Sequence, residues 1–483
     1  MGFNLRKYRH LTQAAVRKLE AIVGPENVSR RIEDLICGSY EAVLLKYRPE
    51  VIVAPRTVEQ VSRILKLADR YRIPVTPRGA GTSVAGNSLP VLGGICLDMC
   101  SMNGILEFDP DNQIVVVEPG VVCDSLNDYL ASRGFFFPPD PASSPGATIG
   151  GMVANNSGGN RALKYGVTRD HVLWLEAVLP TGEIIRPGSK TIKSVSSYDL
   201  TRLLIGSEGT LAVMTKVGLR ITRLPEAYSA CLYVFKDIGD ATETAVRIKS
   251  SGAIPAMLEF MDETTSKASF EYVGLDLPKG CAVLVGCDGY KDAVESEIEN
   301  IHNIALKGKP IFAAKAGSTE ERDRYISARK AALPALSKVA PTVCMEDMTV
   351  PVTRIPEACG KIGEIPSRLG VPGFTVSIFG HIGEGNLHPT FLFDERETVQ
   401  KKAFFKALDL LYRDVAIPLS GSITGEHGIG ILRGNYIKLE YGEKMFKLMH
   451  EIKRVFDPNM ILNPYKGKGG PWPFPKKREE KSS

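Results

Sequence analysis

The sequence predicts an α+β protein built from two folded domains. In the stretch Val51–Arg78, a β-branched run, a periodic helical segment and a second β-like run lead directly into a glycine-rich loop. The composition then shifts near Leu224–Pro225, and a new alternation of strand-like and helix-like segments begins. A chain of 483 residues is also long enough for more than one core, at about 150 residues per domain.

The composition is that of a globular protein without a nucleic-acid partner. Hydrophobic residues make up 43% and charged residues 24% of the chain, and the formal net charge is +5. No apolar stretch is long enough to span a membrane, and the basic start Met1–His10 is followed by no apolar run. Neither a transmembrane segment nor a secretory signal is therefore expected. The nine cysteines form no CxxC pair, which favours a reduced, cytoplasmic setting and argues against an iron–sulphur cluster within this chain.

Local patterns predict the elements of the first half in order. The apolar spacing from Leu11 to Ile22 indicates a leading helix, and Thr57–Tyr71 indicates an amphipathic helix capped by Thr57. Residues 135–160 (FFFPPDPASSPGATIGGMVANNSGGN) are rich in Pro, Gly, Ser and Asn. Such a composition predicts a long irregular loop without a helix, and long loops of this kind are usually functional.

The second half starts with a βαβ-like unit, which is Ser229–Phe235, Ile238–Ser250 and Ala256–Phe260. A strand pair follows around Thr375–Phe379 and Thr390–Phe393. The predicted division is an N-terminal helical segment (1–40), a first domain (41–225), a second domain with an antiparallel sheet (226–425), a C-terminal segment (426–466) and a flexible tail (467–483).

Three glycine-rich loops of the first domain predict a cofactor cradle. The loop Arg78–Ser83 follows a strand, and its glycines let backbone N–H groups converge on an anion. Its spacing is neither that of a P-loop nor GxGxxG, and a tight connection is the alternative interpretation of this loop alone. The segment 148–159 and the loop Ile205–Thr210 are also rich in small residues, which would let a bound ligand come close to the backbone. Three such loops in one domain favour a large dinucleotide bound in extended form.

The motifs PRGAGTS, PPDPASSPGATIGGMVANNSGG and LLIGSEGTLAVMT resemble the FAD-binding domain of the vanillyl-alcohol oxidase type. From about residue 40 to about residue 466, the chain resembles the family of D-lactate dehydrogenases and glycolate oxidase flavin subunits. The resemblance implies that 41–225 binds FAD in two parts, that 226–425 is a substrate (cap) domain, and that 426–466 returns to the FAD domain.

The same resemblance implies a set of FAD contacts. No His or Cys lies in the cradle loops, so a non-covalent flavin is expected. Asn463 and Lys466, near the end of the matched region, are implied to return to the flavin. The remaining contacts are Arg78, Gly79, Ala80, Gly81, Thr82 and Ser83 for the pyrophosphate; Pro139, Asp140, Ala142, Thr148, Ile149, Gly150, Gly151, Ala154, Asn155, Ser157 and Gly158 for the flavin and ribityl chain; and Glu208, Gly209 and Val213 near the adenine end.

Two glycine-flanked histidine motifs predict a metal site. The run GHIGEGNLH (380–388) is typical of a hairpin, across which facing residues lie about 4.5–5.5 Å apart, so His381 and His388 are expected to point at one ion. In the second motif, GEHGIG, extended backbone would turn Glu426 and His427 to opposite sides. Two imidazoles and a carboxylate suit catalytic zinc, iron(II) or manganese, and hydrogen-bonded hairpin histidines are the alternative. The family resemblance implies His381, His388 and Glu426 as the ligands of one divalent metal.

Two further residues are candidates for the chemistry. His427 is predicted to be the general base, because imidazole titrates near neutral pH. Arg329 matches the position that clamps the substrate carboxylate in relatives, and a solvated helix-face charge is the alternative. Relatives acting on 2-hydroxyglutarate have a Lys where this chain has Met345 or Glu346, and an Asn where it has Thr390. Both departures favour a small monocarboxylate substrate.

These parts predict FAD-dependent oxidation of a small D-2-hydroxy acid, foremost D-lactate to pyruvate. The alternatives are the flavin subunit of a glycolate oxidase complex, a D-2-hydroxyglutarate dehydrogenase, and a flavin-binding electron-transfer module without substrate oxidation. The expected electron acceptor is an electron-transfer flavoprotein or an iron–sulphur subunit, with oxygen or a quinone left open. Partner subunits would also allow a cytoplasmic location peripheral to a membrane.

Overall fold

The computed structural model describes residues 8–468. The predicted flexible tail (467–483) therefore lies, apart from Gly467 and Lys468, outside the described residues. Within the described residues, no helix is long and apolar enough to cross a membrane.

The first sheet and its helices form the start of the chain. Its strands lie in the order Val28–Ser29, Val51–Val53, Ile95–Asp98 and Val75–Arg78; the last three are mutually parallel and the first is antiparallel. The predicted helical segment 1–40 is thus not purely helical, because Val28–Ser29 pairs with the strand Val51–Val53. The helices beside this sheet are Gln13–Val23, Ile32–Cys37 and Val58–Tyr71.

The amphipathic helix of this layer is capped as the sequence predicts. Thr57 accepts the backbone N–H of Gln60 at 3.3 Å through its side chain. Val61, Ile64, Leu65 and Ala68 recur at helical spacing and are buried against the sheet.

A second, antiparallel sheet completes the first half. Its strands are, in order, Ile105–Asp109, Ile114–Val117, Val213–Arg220, Val172–Val178 and Ile184–Ile185, and Phe135–Phe136 pairs separately with Thr222–Arg223. The helices of this part are Cys123–Ala131, Ile149–Asn155, Ala162–Tyr165, Thr168–His171 and Leu200–Leu204.

The expectation that residues 135–160 contain no helix is wrong, because Ile149–Asn155 is helical. The Thr148 side chain caps this helix by accepting the N–H of Gly151 at 3.3 Å. Ile149, Met152 and Val153 give it a buried apolar face. Burial of that face outweighs the low helix propensity of the glycines.

The second half is built on one large antiparallel sheet. Its described strands lie in the order Phe312–Lys315, Ala227–Phe235, Cys281–Gly289, Met257–Met261, Thr375–Gly380, Asn386–Phe393 and Thr342–Met345, with Met348–Thr349 also pairing with Asn386–Phe393. The strands of the predicted βαβ-like unit are separated by Cys281–Gly289. The helices of this half are Ile238–Ser250, Glu263–Val273, Lys291–Leu306, Thr319–Lys330, Ala332–Leu336, Ile355–Gly363, Ile365–Leu369 and Thr398–Leu410, the last continued by a π-helix at Leu411–Ala416.

After this sheet the chain returns to the first one. The helix Ile437–Phe456, kinked at Gly442, leads to a bridge in which Leu462 pairs parallel with Val75. The N–H of Asn463 donates to the carbonyl of Val75 at 2.7 Å, and Leu462 lies in the core of the first sheet. The fold is α+β. After the second half, the end of the described chain packs back against the first sheet.

Candidate active site

A cavity of about 550 Å³ lies between the glycine loops of the first half and the large sheet of the second. Its volume is in the ordinary range for small-molecule sites. Most of the residues that the sequence assigns to cofactor, metal or substrate binding line this cavity. They are Arg78, Gly79, Ala80, Gly81, Thr82, Ser83, Ala142, Thr148, Gly150, Gly151, Ala154, Asn155, Ser157, Glu208, Gly209, Val213, Arg329, His381, His388, Glu426 and His427.

Six expected cofactor contacts are not among the residues that line the cavity: Pro139, Asp140, Ile149, Gly158, Asn463 and Lys466. The Lys466 ammonium group donates to the carbonyls of Asn87 and Leu89. Ile149 is fully buried in the core of the second sheet. The Pro139 carbonyl accepts from the Cys123 thiol, and the Asp140 carboxylate accepts the N–H of Arg161. Gly158 backs onto Glu426, since a Cβ there would lie 2.9 Å from its Oε2. Asn463 donates its side-chain amide to the carbonyls of Asn87 and Glu208.

Three imidazoles surround one carboxylate oxygen on the cavity wall. Glu426 Oε1 lies 3.3 Å from His381 Nε2 and 3.5 Å from His388 Nε2. The same oxygen lies 3.8 Å from His427 Nε2. The rings of His388 and His427 stack with centroids 4.9 Å apart, and the ring of His381 meets that of His388 edge-on. The structure therefore brings the proposed ligands and the proposed base together.

The hairpin that carries the first two histidines has another register than expected. His388 lies opposite Phe379, and His381 belongs to the connection rather than to a facing position. The connection is a 3₁₀ turn, Ile382–Glu384, closed by Gly385 at φ +80°. Because a Cβ at Gly385 would lie 2.0 Å from the Val350 carbonyl oxygen, only glycine fits this turn. The turn places the His381 ring edge-on to that of His388, with the ring centroids 5.3 Å apart.

The expectation that Glu426 and His427 point to opposite sides is wrong. The backbone here is not extended, because the successive N–H groups of Gly425, Glu426 and His427 all donate to one oxygen of Asp347. This turn directs both side chains to the same cavity.

The electrostatics of the cluster fit a cation at its centre. Burial would raise the pKa of the Glu426 carboxyl, but His381, followed by His388 and His427, lowers it to about 2. Burial would lower the pKa of His381, but Glu259 and Glu426 hold it well above its usual value, so these two carboxylates favour positive charge at this ring and a metal would bind there in exchange for a proton. Burial lowers the pKa of His388 well below its usual value, so this imidazole is neutral and free to ligate.

Arg329 is placed on the cavity by the helix Thr319–Lys330 and is 3% exposed. Its Nη2 pairs with Glu259 Oε2 at 2.8 Å, and its guanidinium lies 5.0 Å above the Phe379 ring. Its Nε has no hydrogen-bond acceptor within the described residues. A buried N–H without an acceptor at a cavity is a donor for an anionic ligand.

Glu259, which the sequence did not single out, joins two of the predicted residues. Its Oε1 lies 2.8 Å from His381 Nδ1, and its other oxygen pairs with Arg329. Such a carboxylate behind a histidine ligand fixes the ring and its tautomer. The partners are 122 and 70 residues away along the chain, so no local pattern could indicate the contact.

Asp347 and its neighbour Glu346 are the other residues not assigned from the sequence. Asp347 binds the loop of Glu426 and His427, and Glu346 accepts from Tyr412 and Arg433 while fully buried. Met345, on the other side of the strand end, lines the cavity. Glu208 lines the cavity, and its carboxylate accepts the N–H groups of Ile429 and Gly430.

Family models match most of the chain. Residues 49–188 match a model described as FAD binding domain, and residues 224–467 match one described as FAD linked oxidases, C-terminal domain. The chain belongs to the FAD-linked oxidase family. As a member of it, the protein is an FAD-linked oxidoreductase, and the predicted family resemblance is confirmed.

Similar proteins of this family are known by name. The "Glycolate oxidase subunit GlcD" of Bacillus subtilis is 38% identical over 94% of this chain and 97% of its own length. The "D-lactate dehydrogenase" of Anaerostipes hadrus is 33% identical over 95% and 98% of the two chains. The mitochondrial "D-lactate dehydrogenase [cytochrome]" of Arabidopsis thaliana is 34% identical over 86% and 73%.

Solved structures confirm the predicted fold class. The p-cresol methylhydroxylase structure with bound substrate superimposes with a TM-score of 0.77 at 18% identity, covering 96% of this chain and 98% of that one. An alkyldihydroxyacetonephosphate synthase structure gives a TM-score of 0.74 at 21% identity, covering 96% and 87%. The chain has the vanillyl-alcohol oxidase-type FAD-binding fold.

The first glycine loop fits the FAD of this family. Within the described residues, the backbone N–H groups of Ala80, Gly81, Thr82 and Ser83 donate to no protein acceptor. Free N–H groups in sequence are the donors that a pyrophosphate needs. The Arg78 guanidinium lies at the same loop, held by Ser88 and by the Tyr40 carbonyl.

Proposed function

We propose that the protein oxidises a small D-2-hydroxy acid, foremost D-lactate to pyruvate, with FAD as the hydride acceptor and with a divalent metal. The observation that carries the proposal is the convergence of His381, His388, Glu426 and His427 on the cavity that the glycine loops also line. The D configuration rests on the names of the relatives.

His381 Nε2, His388 Nε2 and Glu426 would hold the metal, which we take to be zinc, iron or manganese. A bound cation supplies Lewis acidity toward a hydroxyl group, and FAD when bound accepts a hydride. Glu259 would fix His381 from behind. The chain then has to orient the acid and to take up one proton.

His427 is the group proposed to take that proton. Its Nε2 faces the ligand cluster at 3.8 Å from Glu426, so a hydroxyl held there lies within its reach. Its ring is fixed by stacking on His388. Arg329 would hold the substrate carboxylate, and its free Nε supports this role.

The strand next to the cluster supports a monocarboxylate substrate. Met345 and Thr390 are directly paired across strands Thr342–Met345 and Asn386–Phe393. Met345 lines the cavity with an apolar side chain, while Thr390 is fully buried and donates its hydroxyl to the His388 carbonyl. Neither position offers a cation or an amide to a second carboxylate.

We further propose that FAD is held non-covalently by residues 41–225, that residues 226–425 bind substrate and metal, and that residues 426–466 complete the site. Electrons would pass to an electron-transfer flavoprotein or an iron–sulphur subunit. The description of the Bacillus subtilis relative as a subunit supports a partner protein. It also makes the flavin subunit of a glycolate oxidase the second candidate function.

The test is anaerobic bleaching of the bound flavin by D-lactate, glycolate and D-2-hydroxyglutarate, with L-lactate as the stereochemical control and with and without prior chelation. Bleaching by D-lactate that chelation removes is the expected result. Preferential bleaching by glycolate would favour the second candidate. If none of the acids bleaches a protein shown to contain FAD and metal, the proposed substrate class is wrong.

A further inference from the structure

The loop that carries Glu426 and His427 is bound to a single buried carboxylate oxygen. Asp347 Oδ2 accepts the N–H groups of Gly425, Glu426 and His427 at 2.7, 2.9 and 2.9 Å. It also accepts the hydroxyl of Thr424 at 2.6 Å. Three successive N–H groups that converge on one point form a binding site for an anion, which the Asp347 carboxylate fills.

The other oxygen of the same carboxylate faces the histidine hairpin. Asp347 Oδ1 accepts the side-chain amide of Asn386 at 2.6 Å and lies 3.7 Å from His388 Nδ1. Asp347 itself is fully buried and does not line the cavity. One carboxylate thus fixes both segments that carry the proposed metal ligands and the proposed base.

We infer that Asp347 is a positioning residue, which sets the loop Thr424–His427 against the hairpin so that Glu426, His427 and His388 converge. The role of this positioning in catalysis rests on the proposed function. The contacts by which Asp347 positions the two segments do not depend on it. Asparagine cannot replace Asp347, because its NH₂ group would face a donor on one side or the other. A carboxylate accepts on both sides.

The alternative is that Asp347 only stabilises the fold, as buried carboxylates elsewhere do. Asp262, a partly buried carboxylate directly after the strand Met257–Met261 of the same sheet, is the matched case. It accepts the N–H groups of Thr265 and Ile378 at 2.8 and 2.7 Å and the hydroxyl of Ser377 at 2.7 Å. It does not line the cavity. Asp262→Asn therefore removes a comparable, partly buried anion that binds the first strand of the hairpin at Ser377 and Ile378 but makes no bond to the loop Thr424–His427.

The experiment compares Asp347→Asn with Asp262→Asn in the full-length protein with its bound FAD. Three quantities are measured in each variant. They are the hydrogen exchange of the peptide covering 424–430, the content of zinc, iron and manganese by elemental analysis, and the limiting rate of flavin reduction by D-lactate. In Asp347→Asn we expect exchange in 424–430 to accelerate, and metal retention and flavin reduction to fall by about 10- to 100-fold. FAD stoichiometry should stay at the wild-type value. In Asp262→Asn, faster exchange should be confined to the segments around 262–266 and 377–378.

Unchanged exchange of 424–430 in Asp347→Asn would overturn the inference, as would an equal loss of flavin reduction in Asp262→Asn. Should Asp347→Asn not fold, Thr424→Val removes the hydroxyl that donates to the carboxylate and accepts the N–H of Gly428. Exchange at the amides of Gly425, Glu426 and His427, which donate to Asp347, is then expected to accelerate, but less than in Asp347→Asn. Wild-type exchange in that variant would also contradict the inference. Failure of the proposed function has a separate readout, namely a wild-type flavin that no hydroxy acid bleaches.

Discussion

The carboxylate of Glu208 accepts the backbone N–H of Gly430 at 2.7 Å, across 222 residues of sequence. The same carboxylate accepts the N–H of Ile429 at 3.0 Å. A residue of the third glycine loop thereby holds the segment that follows Glu426 and His427. These bonds connect the cofactor side and the proposed metal side of the cavity. A displacement of the third glycine loop is therefore expected to displace the segment that follows His427 as well.

Gly81→Ala is expected to abolish FAD binding. Gly81 has φ +71°, and a Cβ there would lie 2.1 Å from Arg78 Nη2, so the substitution both strains the backbone and displaces the guanidinium. Gly274→Ala is the matched control, because Gly274 has the same φ with no atom within 4 Å of the added Cβ. FAD stoichiometry from the absorbance spectrum is the measurement, and equal FAD content in the two variants would contradict the prediction.

Glu259→Gln is expected to weaken metal binding and flavin reduction together, by about 10- to 100-fold, as is typical for the loss of a carboxylate behind a histidine ligand. The substitution removes the charge that pairs with both His381 and Arg329. Elemental analysis after dialysis is the measurement, with Glu263→Gln, an exposed position nearby, as the control. Metal retention equal to that of the control would argue against this role for Glu259.

Arg329→Lys is expected to raise the half-saturating D-lactate concentration by about 10- to 100-fold, which corresponds to the loss of a charge-assisted hydrogen bond. Lysine keeps the positive charge but lacks the planar fork that a carboxylate accepts. Stopped-flow flavin reduction over a range of D-lactate concentrations measures this directly. Arg324→Lys, on the exposed face of the same helix, should leave the value unchanged. A half-saturating concentration unaffected by Arg329→Lys would mean that the carboxylate binds elsewhere.

Lys466 predicts a pH dependence of stability. Burial lowers the pKa of its ammonium group below the ordinary value of 10.5, which the nearby Glu41 only partly offsets. Between the folded and unfolded pKa values the unfolded chain binds more protons, so this group's contribution to the free energy of unfolding rises with pH. Wild type should therefore gain stability relative to Lys466→Met between pH 7 and pH 9.5 in urea unfolding. A constant difference between the two proteins would contradict this.

Periodicity and capping predicted those parts of the fold that depend on neighbouring residues. Thr57 and the apolar spacing after it define the helix Val58–Tyr71, and the glycines after His381 define a hairpin. The helix Ile149–Asn155 was missed because its glycine content hides a capped, buried face. Composition alone does not reveal what a segment packs against.

The candidate site was predicted as residue types but not as an arrangement. The histidines, Glu426 and Arg329 were identified from their motifs and family resemblance, and the structure places them on one cavity. The supporting contacts of Asp347 and Glu259 join segments 39 or more residues apart, as in Asp347 with Asn386 and Glu259 with Arg329. Contacts of this kind follow from tertiary packing, which no single segment encodes.

The bridge between Val75 and Leu462 can form only late in the synthesis of the chain. Val75–Arg78 is an edge strand, and its outer side is covered by Leu462, which is translated 387 positions after Val75. At common elongation rates that interval is on the order of 20–80 s. An open strand edge is a template for pairing with other chains. Slow translation, or ribosome stalling before Leu462, should therefore favour co-aggregation of nascent chains through this edge.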